Sequence, residues 1–380
     1  MITFSKRTKA GLSIIVLILI VISFIYYYTN FISNQSNDIK AITIPELEKV
    51  FSALYLGNNQ LIIAGIGGNP SHGEAFVVNL NNMMNYTQLK LGRFFQNGSI
   101  YTIGYNGTTL MFGGDNYIGG NLHTCLVADN GGSLHNFSYK LGSDNSLGQI
   151  WSVTWYNGYW LIGGNTFIYL SNGEGVLLPM LVKEFSNGST VNLSPNLPSY
   201  FTPVGGGFID SIYDLSPSPT GVGIAGGNTF NATFAVYNGT FQNFSVKGYD
   251  EGSFVSSAFS PQGWIAVGEL YESDHFSPYV VLFHNGTSNN ITLPYHVGFV
   301  TSVIYINGTY ILSLKVPFTS SSSLKYGTVI LCGKSLQELK VLYKNGNQVI
   351  EDMSVSGNYI TAVGYTNDTT VEGLILKIHI

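Results

Sequence analysis

The sequence predicts an all-β fold, and three observations support this prediction. Only 10% of the 380 residues are charged, against about 25% in ordinary soluble domains, whereas glycine (45), tyrosine (25) and phenylalanine (23) are abundant. Short runs of β-branched and aromatic residues alternate with Asn-Gly and related turn signals. The same order of runs and turns recurs seven times, which is the pattern of a seven-bladed β-propeller.

Each repeat begins with an aliphatic, a variable and a small polar residue. The seven starts are Val50-Phe51-Ser52, Ile100-Tyr101-Thr102, Ile150-Trp151-Ser152, Ile209-Asp210-Ser211, Val255-Ser256-Ser257, Val300-Thr301-Ser302 and Ile350-Glu351-Asp352. A tight turn such as Asn157-Gly158 follows, and the second run then ends in glycine. Two further runs complete each repeat, so we expect four antiparallel strands per blade. The small polar residues, serine or threonine in six starts, are expected to be structural.

The propeller is predicted to occupy residues 41–380. The predicted blades span residues 49–95, 98–141, 148–195, 207–247, 252–294, 297–345 and 348–380. The last repeat contains only three runs, so its blade lacks an outer strand. Residues 41–45, which are similar in sequence to residues 290–294, are expected to supply that strand and to close the ring.

The N-terminus predicts a membrane anchor. Residues 1–11 are basic and contain no acid, and Leu12–Tyr28 carries no charge. Seventeen helical residues extend roughly 25 Å, at the low end of what spans a bilayer. By the positive-inside rule the basic flank is cytoplasmic, residues 12–28 form a signal-anchor helix, and residues 29–40 form a polar stalk. The propeller is therefore predicted to be extracellular on a single-pass membrane protein.

Two other interpretations of the N-terminus remain open. A cleaved signal peptide would need a small-x-small site after the apolar run, but the sequence there is Tyr28-Thr29-Asn30-Phe31. The segment Lys9-Ala10-Gly11-Leu12 resembles the cleavage context of archaeal pilin-type signal peptides, although Gly11 departs from their usual residue. The retained anchor is the preferred interpretation because no cleavage site follows the apolar run.

Two resemblances bear on family. The runs that end in Gly113-Gly114, Gly163-Gly164 and Gly226-Gly227 resemble the second strand of kelch-type blades, although the later kelch tyrosine and tryptophan do not recur. The low charge, the Tyr, Asn and Ser content and the dense sequons resemble envelope proteins of thermoacidophilic archaea. An acid exterior would protonate exposed carboxylates, which gives a reason for a thermophile to have few charges.

The chain is rich in Asn-x-Ser/Thr sequons, which predict an N-glycosylated protein. The fourteen sites are Asn34, Asn85, Asn97, Asn106, Asn136, Asn187, Asn192, Asn231, Asn238, Asn243, Asn285, Asn290, Asn307 and Asn367. Hairpin chemistry alone explains Asn106, Asn238, Asn285 and Asn307. The sites that begin outer strands have no such explanation, so we expect most sequons to carry glycans.

Several function classes lack the residues they need. Sixteen Lys and Arg over 380 residues form no basic stripe, so no nucleic-acid partner is expected. The seven histidines and two cysteines show no metal-ligand spacing, so neither metal nor cofactor is expected. Neither a nucleophile elbow nor a phosphate-binding glycine loop is present.

The variable residues at the blade starts are the candidate binding site. Around the predicted ring they are Phe51, Tyr101, Trp151, Asp210, Ser256, Thr301 and Glu351. Three adjacent aromatic residues opposite a polar half suit a sugar or peptide ligand, although packing between blades also explains the aromatic residues. Asp115 and Glu269 follow second strands and are predicted to share one face with Asp210 and Glu351.

These features favour a non-enzymatic surface protein that acts in recognition, in adhesion or as a scaffold of a cell-envelope complex. Its partners would be the membrane, through residues 12–28, and a protein or glycan at the cell surface. The alternative is an extracytoplasmic hydrolase that uses paired carboxylates at one propeller mouth to cleave glycans or peptides.

Overall fold

The computed structural model describes residues 39–68, 70–169, 175–201, 210–228, 230–244, 251–272, 274–320, 323–367 and 370–380. The predicted basic flank 1–11, the anchor 12–28, most of the stalk and Asn34 lie outside these residues. In the part of the chain that is described, no helix has the length and apolar character needed to cross a membrane.

The described residues form 28 β-strands and four short 3-10 helices. The strands fall into seven groups of four, which we call units 1 to 7. The first strands of units 1 to 7 are β2 (Lys49–Gly57), β6 (Ile100–Tyr105), β10 (Gly148–Tyr156), β14 (Ser211–Ser218), β18 (Gly252–Ser260), β22 (Phe299–Ile306) and β26 (Gln348–Ser356). The second strands are β3 (Gln60–Gly67), β7 (Leu110–Ile118), β11 (Tyr159–Tyr169), β15 (Gly221–Asn228), β19 (Gly263–Glu272), β23 (Thr309–Ser320) and β27 (Tyr359–Thr366).

The third and fourth strands complete the units in the same order. The third strands are β4 (His72–Asn79), β8 (Asn121–Asn130), β12 (Gly175–Phe185), β16 (Ala232–Tyr237), β20 (His275–His284), β24 (Ser323–Gly333) and β28 (Gly373–His379). The fourth strands are β5 (Tyr86–Leu89), β9 (Ser133–Asn136), β13 (Thr190–Asn192), β17 (Phe241–Phe244), β21 (Thr287–Asn290), β25 (Lys340–Asn345) and β1 (Ile39–Ile44). The 3-10 helices are Ser138–Leu141, Ser143–Asn145, Ser194–Asn196 and Ser199–Phe201.

The strands of each unit pair in sequence order and are antiparallel, and units 4 and 5 also join where Gly227 pairs with Ser253. The first strands contact one another in a closed cycle, from β2 through β6, β10, β14, β18, β22 and β26 back to β2. The fold is therefore all-β and propeller-like, as the sequence predicted.

The last repeat takes its fourth strand from the other end of the chain, as the sequence predicted. Ile39–Ile44 pairs with β28, and Ile42 lies opposite Ile375. The observed strand begins two residues earlier than expected. This pairing covers the edge of β28 and joins unit 7 to the segment that leads into unit 1.

The apolar core lies between the units. Each of the seven hydrophobic clusters among the described residues combines side chains from two neighbouring units. Phe112 of unit 2 packs with Ile62 of unit 1, for example, and Ile375 of unit 7 packs with Val50 of unit 1. Because each unit buries its faces against neighbours, the stability of one unit depends on the next.

The alternating strand direction defines two faces. The mouth face carries the starts of the first strands and the turns between second and third strands. The opposite stem face carries the turns between first and second strands, where Asn157 and Asn307 adopt φ values of 45° and 50°. Ile39 pairs with Ile378 near the end of a third strand, so the described chain enters at the stem face.

The two cysteines lie in third strands of different units and are unbridged. Cys125 is buried in β8 of unit 2, and Cys332 is half-buried in β24 of unit 6. Burial raises the pKa of the Cys125 thiol to about 12, so this side chain stays neutral and behaves as a small apolar group.

Candidate functional site

A β-bulge interrupts the same point of every first strand. The bulged residues, which have no partner in the pairing with the second strand, are Phe51, Tyr101, Trp151, Tyr213, Val255, Thr301 and Glu351. A bulge re-aims a side chain and increases the local twist. All seven of these residues line one cavity of about 560 Å³, so the seven bulges build a shared central site.

The structure corrects two of the seven predicted positions. In unit 4 the bulged residue is Tyr213, not Asp210, because the triplet that starts this unit is Ile212-Tyr213-Asp214 and not the predicted Ile209-Asp210-Ser211. In unit 5 it is Val255, not Ser256, since the serine pair in this strand allowed two registers. Asp210 is fully buried and does not line the cavity. The other six predicted residues, Ser256 included, do line it.

The bulged residues of units 1 to 4 form a continuous aromatic wall. Ring centroids of Phe51 and Tyr101 are 5.3 Å apart, and those of Trp151 and Tyr213 are 5.8 Å apart. Between these pairs, Tyr101 and Trp151 stack at 4.2 Å with an interplanar angle of 30°. The rings therefore pack between neighbouring units, as one interpretation predicts, and they also border the cavity.

Asp115 supports this wall and does not line the cavity. Its carboxylate accepts hydrogen bonds from the Tyr101 hydroxyl at 3.0 Å, Gln149 Nε2 at 2.8 Å and the Ser99 backbone N–H at 2.9 Å. Burial raises the pKa of Asp115 and of Tyr101 because it disfavours the charged form of each group. Asp115 was predicted to belong to the binding site, but it lies outside the cavity lining and its oxygens already accept three hydrogen bonds.

Two glutamates form an acidic wall opposite the rings, together with two phenylalanines. Glu351 occupies the bulge of unit 7, and its Oε1 lies 3.9 Å from Lys315 Nζ. Glu269 of β19 accepts a hydrogen bond from Ser253 Oγ at 3.3 Å. Burial raises the pKa of Glu269, and the nearby Lys315 opposes that shift. Glu269 and Glu351, which the sequence predicts on one face, both line this cavity.

Phe276 and Phe299, which no sequence pattern indicated, complete the acidic wall. Their rings meet edge-to-face at 6.1 Å, and Phe276 is 41% exposed. Lys315 lies beside this wall, with Nζ 5.1 Å from the Phe299 ring and 5.8 Å from each of the Tyr326 and Tyr365 rings. The ammonium group therefore rests among one carboxylate and three aromatic rings.

The residue after each bulge faces the next unit, and five of these side chains accept a backbone N–H there. We call these contacts latches. They run from Val153 N to Thr102 Oγ1 (3.1 Å), Leu215 N to Ser152 Oγ (3.0 Å), Ser257 N to Asp214 Oδ2 (2.7 Å), Val303 N to Ser256 Oγ (3.2 Å) and Ala53 N to Asp352 Oδ2 (3.0 Å). Of the small polar residues predicted to be structural, Thr102 and Ser152 are latch acceptors, whereas Asp214 and Ser256 take the places of the predicted Ser211 and Ser257.

Two latches use carboxyl groups that also line the cavity. Asp214 Oδ2 accepts additional hydrogen bonds from Ser216 Oγ at 2.6 Å and Ser257 Oγ at 2.9 Å. Burial raises the pKa of Asp352 to about 7, with a smaller contribution from the charge of Asp214. Burial raises the pKa of Asp214 as well. The inner part of the site therefore binds protons more readily than free aspartate does.

No group of three or more metal-ligating side chains occurs among the described residues. Thirteen of the fourteen sequons are described, and none is buried. Three are half-buried, namely Asn106, Asn231 and Asn367. The other ten are exposed, and Asn136, Asn192, Asn243 and Asn290 lie on outer strands.

Comparisons with known proteins show the fold alone. No family model matches the chain, and no curated protein matches its sequence. The WD40 domain of Neurospora crassa Pan2 matches with a TM-score of 0.54 and 10% identity, over 90% of this chain and 95% of that one. An acylaminoacyl peptidase in complex with Z-Gly-Gly-Phe-chloromethyl ketone matches with a TM-score of 0.52 and 10% identity, over 86% of this chain.

The Pyrococcus horikoshii acylaminoacyl peptidase, in its orthorhombic form, also matches with a TM-score of 0.52 and 10% identity, over 89% of this chain. The chain spans about half the length of these peptidases, 51% and 54% respectively. These matches are propeller-like folds. The kelch-type resemblance of the di-glycine strands stays a prediction.

Proposed function

We propose that this chain is a membrane-anchored, glycosylated, extracellular seven-bladed β-propeller that binds a ligand in its central cavity. In this proposal units 1 to 7 are the blades, and the protein serves recognition, adhesion or the scaffold of a cell-envelope complex. The closed cycle of first-strand contacts and the seven shared clusters support the blade count. The low charge and the kelch-like strands fit a surface propeller of archaeal type.

The observation that carries the proposal is the contrast between two adjacent positions of each first strand. The residue after the bulge is Ser, Thr or Asp in every unit, as expected for a structural role. The bulged residue differs in size and polarity from unit to unit, yet all seven line one cavity. A cavity of about 560 Å³ has the size of a small-ligand site, which is typically about 300–1,000 Å³.

The direction of the chain supports the proposed orientation. Ile39 lies at the stem face, so an anchor over residues 12–28 and its stalk would join the propeller there. The cavity side would then point away from the membrane and toward an external ligand. Digestion of the propeller by protease added to intact cells tests this orientation, and full protection in unbroken cells would contradict it.

Blocking the cavity tests the binding function. Full-length protein in nanodiscs would be screened on glycan and peptide arrays, and the Kd of the best ligand measured by calorimetry. Thr301→Trp places a large ring at a bulge that lines the cavity, so we expect affinity to fall at least tenfold. Thr190→Trp, on the exposed outer strand of unit 3 and outside every sequon, is the matched control and should leave the Kd unchanged. Unchanged binding by Thr301→Trp would refute the central site.

A hydrolase is the second candidate, because Glu269 and Glu351 face the same cavity in different surroundings. Burial raises the pKa of Glu269, whereas Glu351 lies 3.9 Å from a lysine. Paired carboxyls in unlike environments are what glycoside hydrolysis uses. We rank the hydrolase second because the other two acids that line the cavity, Asp214 and Asp352, already have a structural role as acceptors of latch hydrogen bonds. Mass spectrometry of the array ligands after incubation would reveal cleavage, and cleavage lost in both Glu269→Gln and Glu351→Gln would favour the hydrolase.

A further inference from the structure

We propose that the central cavity selects a ligand that carries an organic cation, a primary ammonium or a guanidinium group. The inference rests on the proposed binding function and names the chemical group that the site recognises. A lysine side chain of a peptide and an amino sugar of a glycan both present an ammonium, so either source satisfies it.

The charged side chains that line the cavity favour a cationic ligand. Four acidic side chains line the cavity, Glu269, Glu351, Asp214 and Asp352, and no basic side chain does. An anionic ligand would therefore find no positively charged side chain in the lining of the cavity. Asp214 and Asp352 are engaged by latch N–H groups, so Glu269 and Glu351 are the acids that can contact a ligand directly. The side chain of Glu351 is 26% exposed, which leaves oxygen surface for this contact.

Aromatic rings beside the two glutamates also favour a cationic ligand. Phe276 and Phe299 line the cavity beside these two glutamates. An ammonium group that lies over an aromatic face, within about 6 Å of the ring centroid, is attracted by the quadrupole of the ring. A nearby carboxylate adds to this attraction. Lys315 shows this environment holding an ammonium, since its Nζ lies 5.1 Å from the Phe299 ring and 3.9 Å from Glu351.

The centre of the aromatic wall disfavours a neutral sugar. Stacking of a sugar needs an open aromatic face, and Tyr101 and Trp151 already stack on each other. Trp151 stacks on Tyr101 at 4.2 Å and contacts Tyr213 at 5.8 Å. The aromatic wall therefore limits the width of the cavity, and the acidic wall opposite distinguishes ligands by their polar groups.

The test compares pairs of probes that differ in charge. Binding to the full-length protein would be measured by calorimetry for Nα-acetyl-lysine methylamide against its Nε-acetylated form, and for glucosamine against N-acetylglucosamine. We expect the cationic member of at least one pair to bind at least tenfold tighter. The pair that responds identifies the peptide or the glycan source. Because Coulombic attraction between partly exposed charges is screened by salt, affinity should fall between 0.05 and about 0.5 M NaCl.

Three variants assign the effect to the acidic wall. Glu269→Gln and Glu351→Gln preserve side-chain shape and should each weaken cation binding about five- to tenfold. Glu338→Gln, an exposed acid on the perimeter between β24 and β25, is the matched control and should change nothing. Lys315→Gln removes the ammonium that competes for Glu351, so it should strengthen cation binding a few-fold. A merely structural Lys315 would instead give weaker binding.

Some outcomes would overturn the inference and leave the proposed function intact. Equal or tighter binding of the neutral probes, with affinity still lost in Thr301→Trp, would mean a central site without cation selectivity. Failure of both cationic probes to bind would refute the inference as well. Loss of binding in the control Glu338→Gln would show that the variants act through stability, and melting curves for each variant check this point directly.

Discussion

The two halves of the cavity use one backbone position for opposite purposes. In units 1 to 4 the bulges carry Phe51, Tyr101, Trp151 and Tyr213, whose rings contact one another with centroids 4.2 to 5.8 Å apart. In units 5 to 7 the bulges carry Val255, Thr301 and Glu351, none of which is aromatic. The aromatic half supports itself by packing, whereas the other half places smaller side chains at the bulges.

The accepting groups of the latches also differ between the two halves of the cavity and the junctions that join them. Within each half the accepting group is a hydroxyl, on Thr102 and Ser152 in the aromatic half and on Ser256 in the other. The two carboxyl latches lie where the halves meet, Asp214 between units 4 and 5 and Asp352 between units 7 and 1. A hydroxyl stays neutral at any physiological pH, but a carboxyl titrates. The junctions between the halves are therefore the pH-sensitive parts of the ring.

Opening the ring should have the largest effect, because both halves depend on its closure. Replacing residues 39–44 by a Gly-Ser linker removes β1 and exposes β28, and Ile44 is fully buried between units 7 and 1. We expect the cooperative unfolding transition in urea, followed by circular dichroism, to disappear. Replacing Thr190–Asn192 of outer strand β13 with Gly-Ser-Gly is the control and should only fray unit 3. A normal transition in the first variant would contradict the dependence of each unit on its neighbours.

Removing one ring from the aromatic wall should cost more than trimming the polar half. Trp151→Ala deletes the contacts with both Tyr101 and Tyr213, so we expect a loss of about 2–4 kcal/mol in the free energy of unfolding. Thr301→Ala removes a single hydrogen bond, from Oγ1 to the Ser313 carbonyl at 3.3 Å, and should cost about 1 kcal/mol or less. Urea unfolding measures both values. Equal losses would mean that the wall adds nothing to stability.

The carboxyl latch of Asp352 should make the protein more stable in acid than at neutral pH. Its pKa in the folded protein, about 7, lies above the ordinary value of 3.8, so the folded state binds more protons between these pH values. Stability is then fully present below about pH 4 and falls as the pH rises through 7. A shift of this size sets an upper limit of roughly 4 kcal/mol, and we expect about 2 because the side chain borders a cavity.

Replacing the titrating group isolates its contribution. Asp352→Ser introduces the hydroxyl found at the equivalent position of other units and should flatten the decline in stability between pH 4 and 7.5. Melting temperatures across this range measure the effect. Asp274→Ser, at an acid whose side chain is 89% exposed, is the control and should leave the decline unchanged. A pH profile that is identical in wild type and Asp352→Ser would rule out the latch as its cause.

The sequence was informative wherever the repeat itself carries the signal. Turn residues, the periodic triplets and the incomplete last repeat depend on local backbone chemistry, so the strands, five of the seven bulge positions and the closing strand followed from them. Unit 4 failed because its triplet ends in Asp214 where five of the other six units have Ser or Thr, and an earlier Ser211 imitated the pattern. Unit 5 failed because Ser256 and Ser257 fit the pattern equally well.

Composition and local pattern alone determined that this chain folds as repeated antiparallel strands with a variable residue at the start of each repeat. Only the tertiary structure decided which side chains meet in the cavity. Asp115 carries the same chemistry as Glu269, but its oxygens are taken by Tyr101 and by Gln149 of the next unit. Phe276 and Lys315 reach the site from the third strand of unit 5 and the second strand of unit 6, and Phe299 reaches it from the residue before the triplet of unit 6. Contacts between units depend on the angle and spacing at which whole sheets pack, and the sequence of a single repeat determines neither quantity.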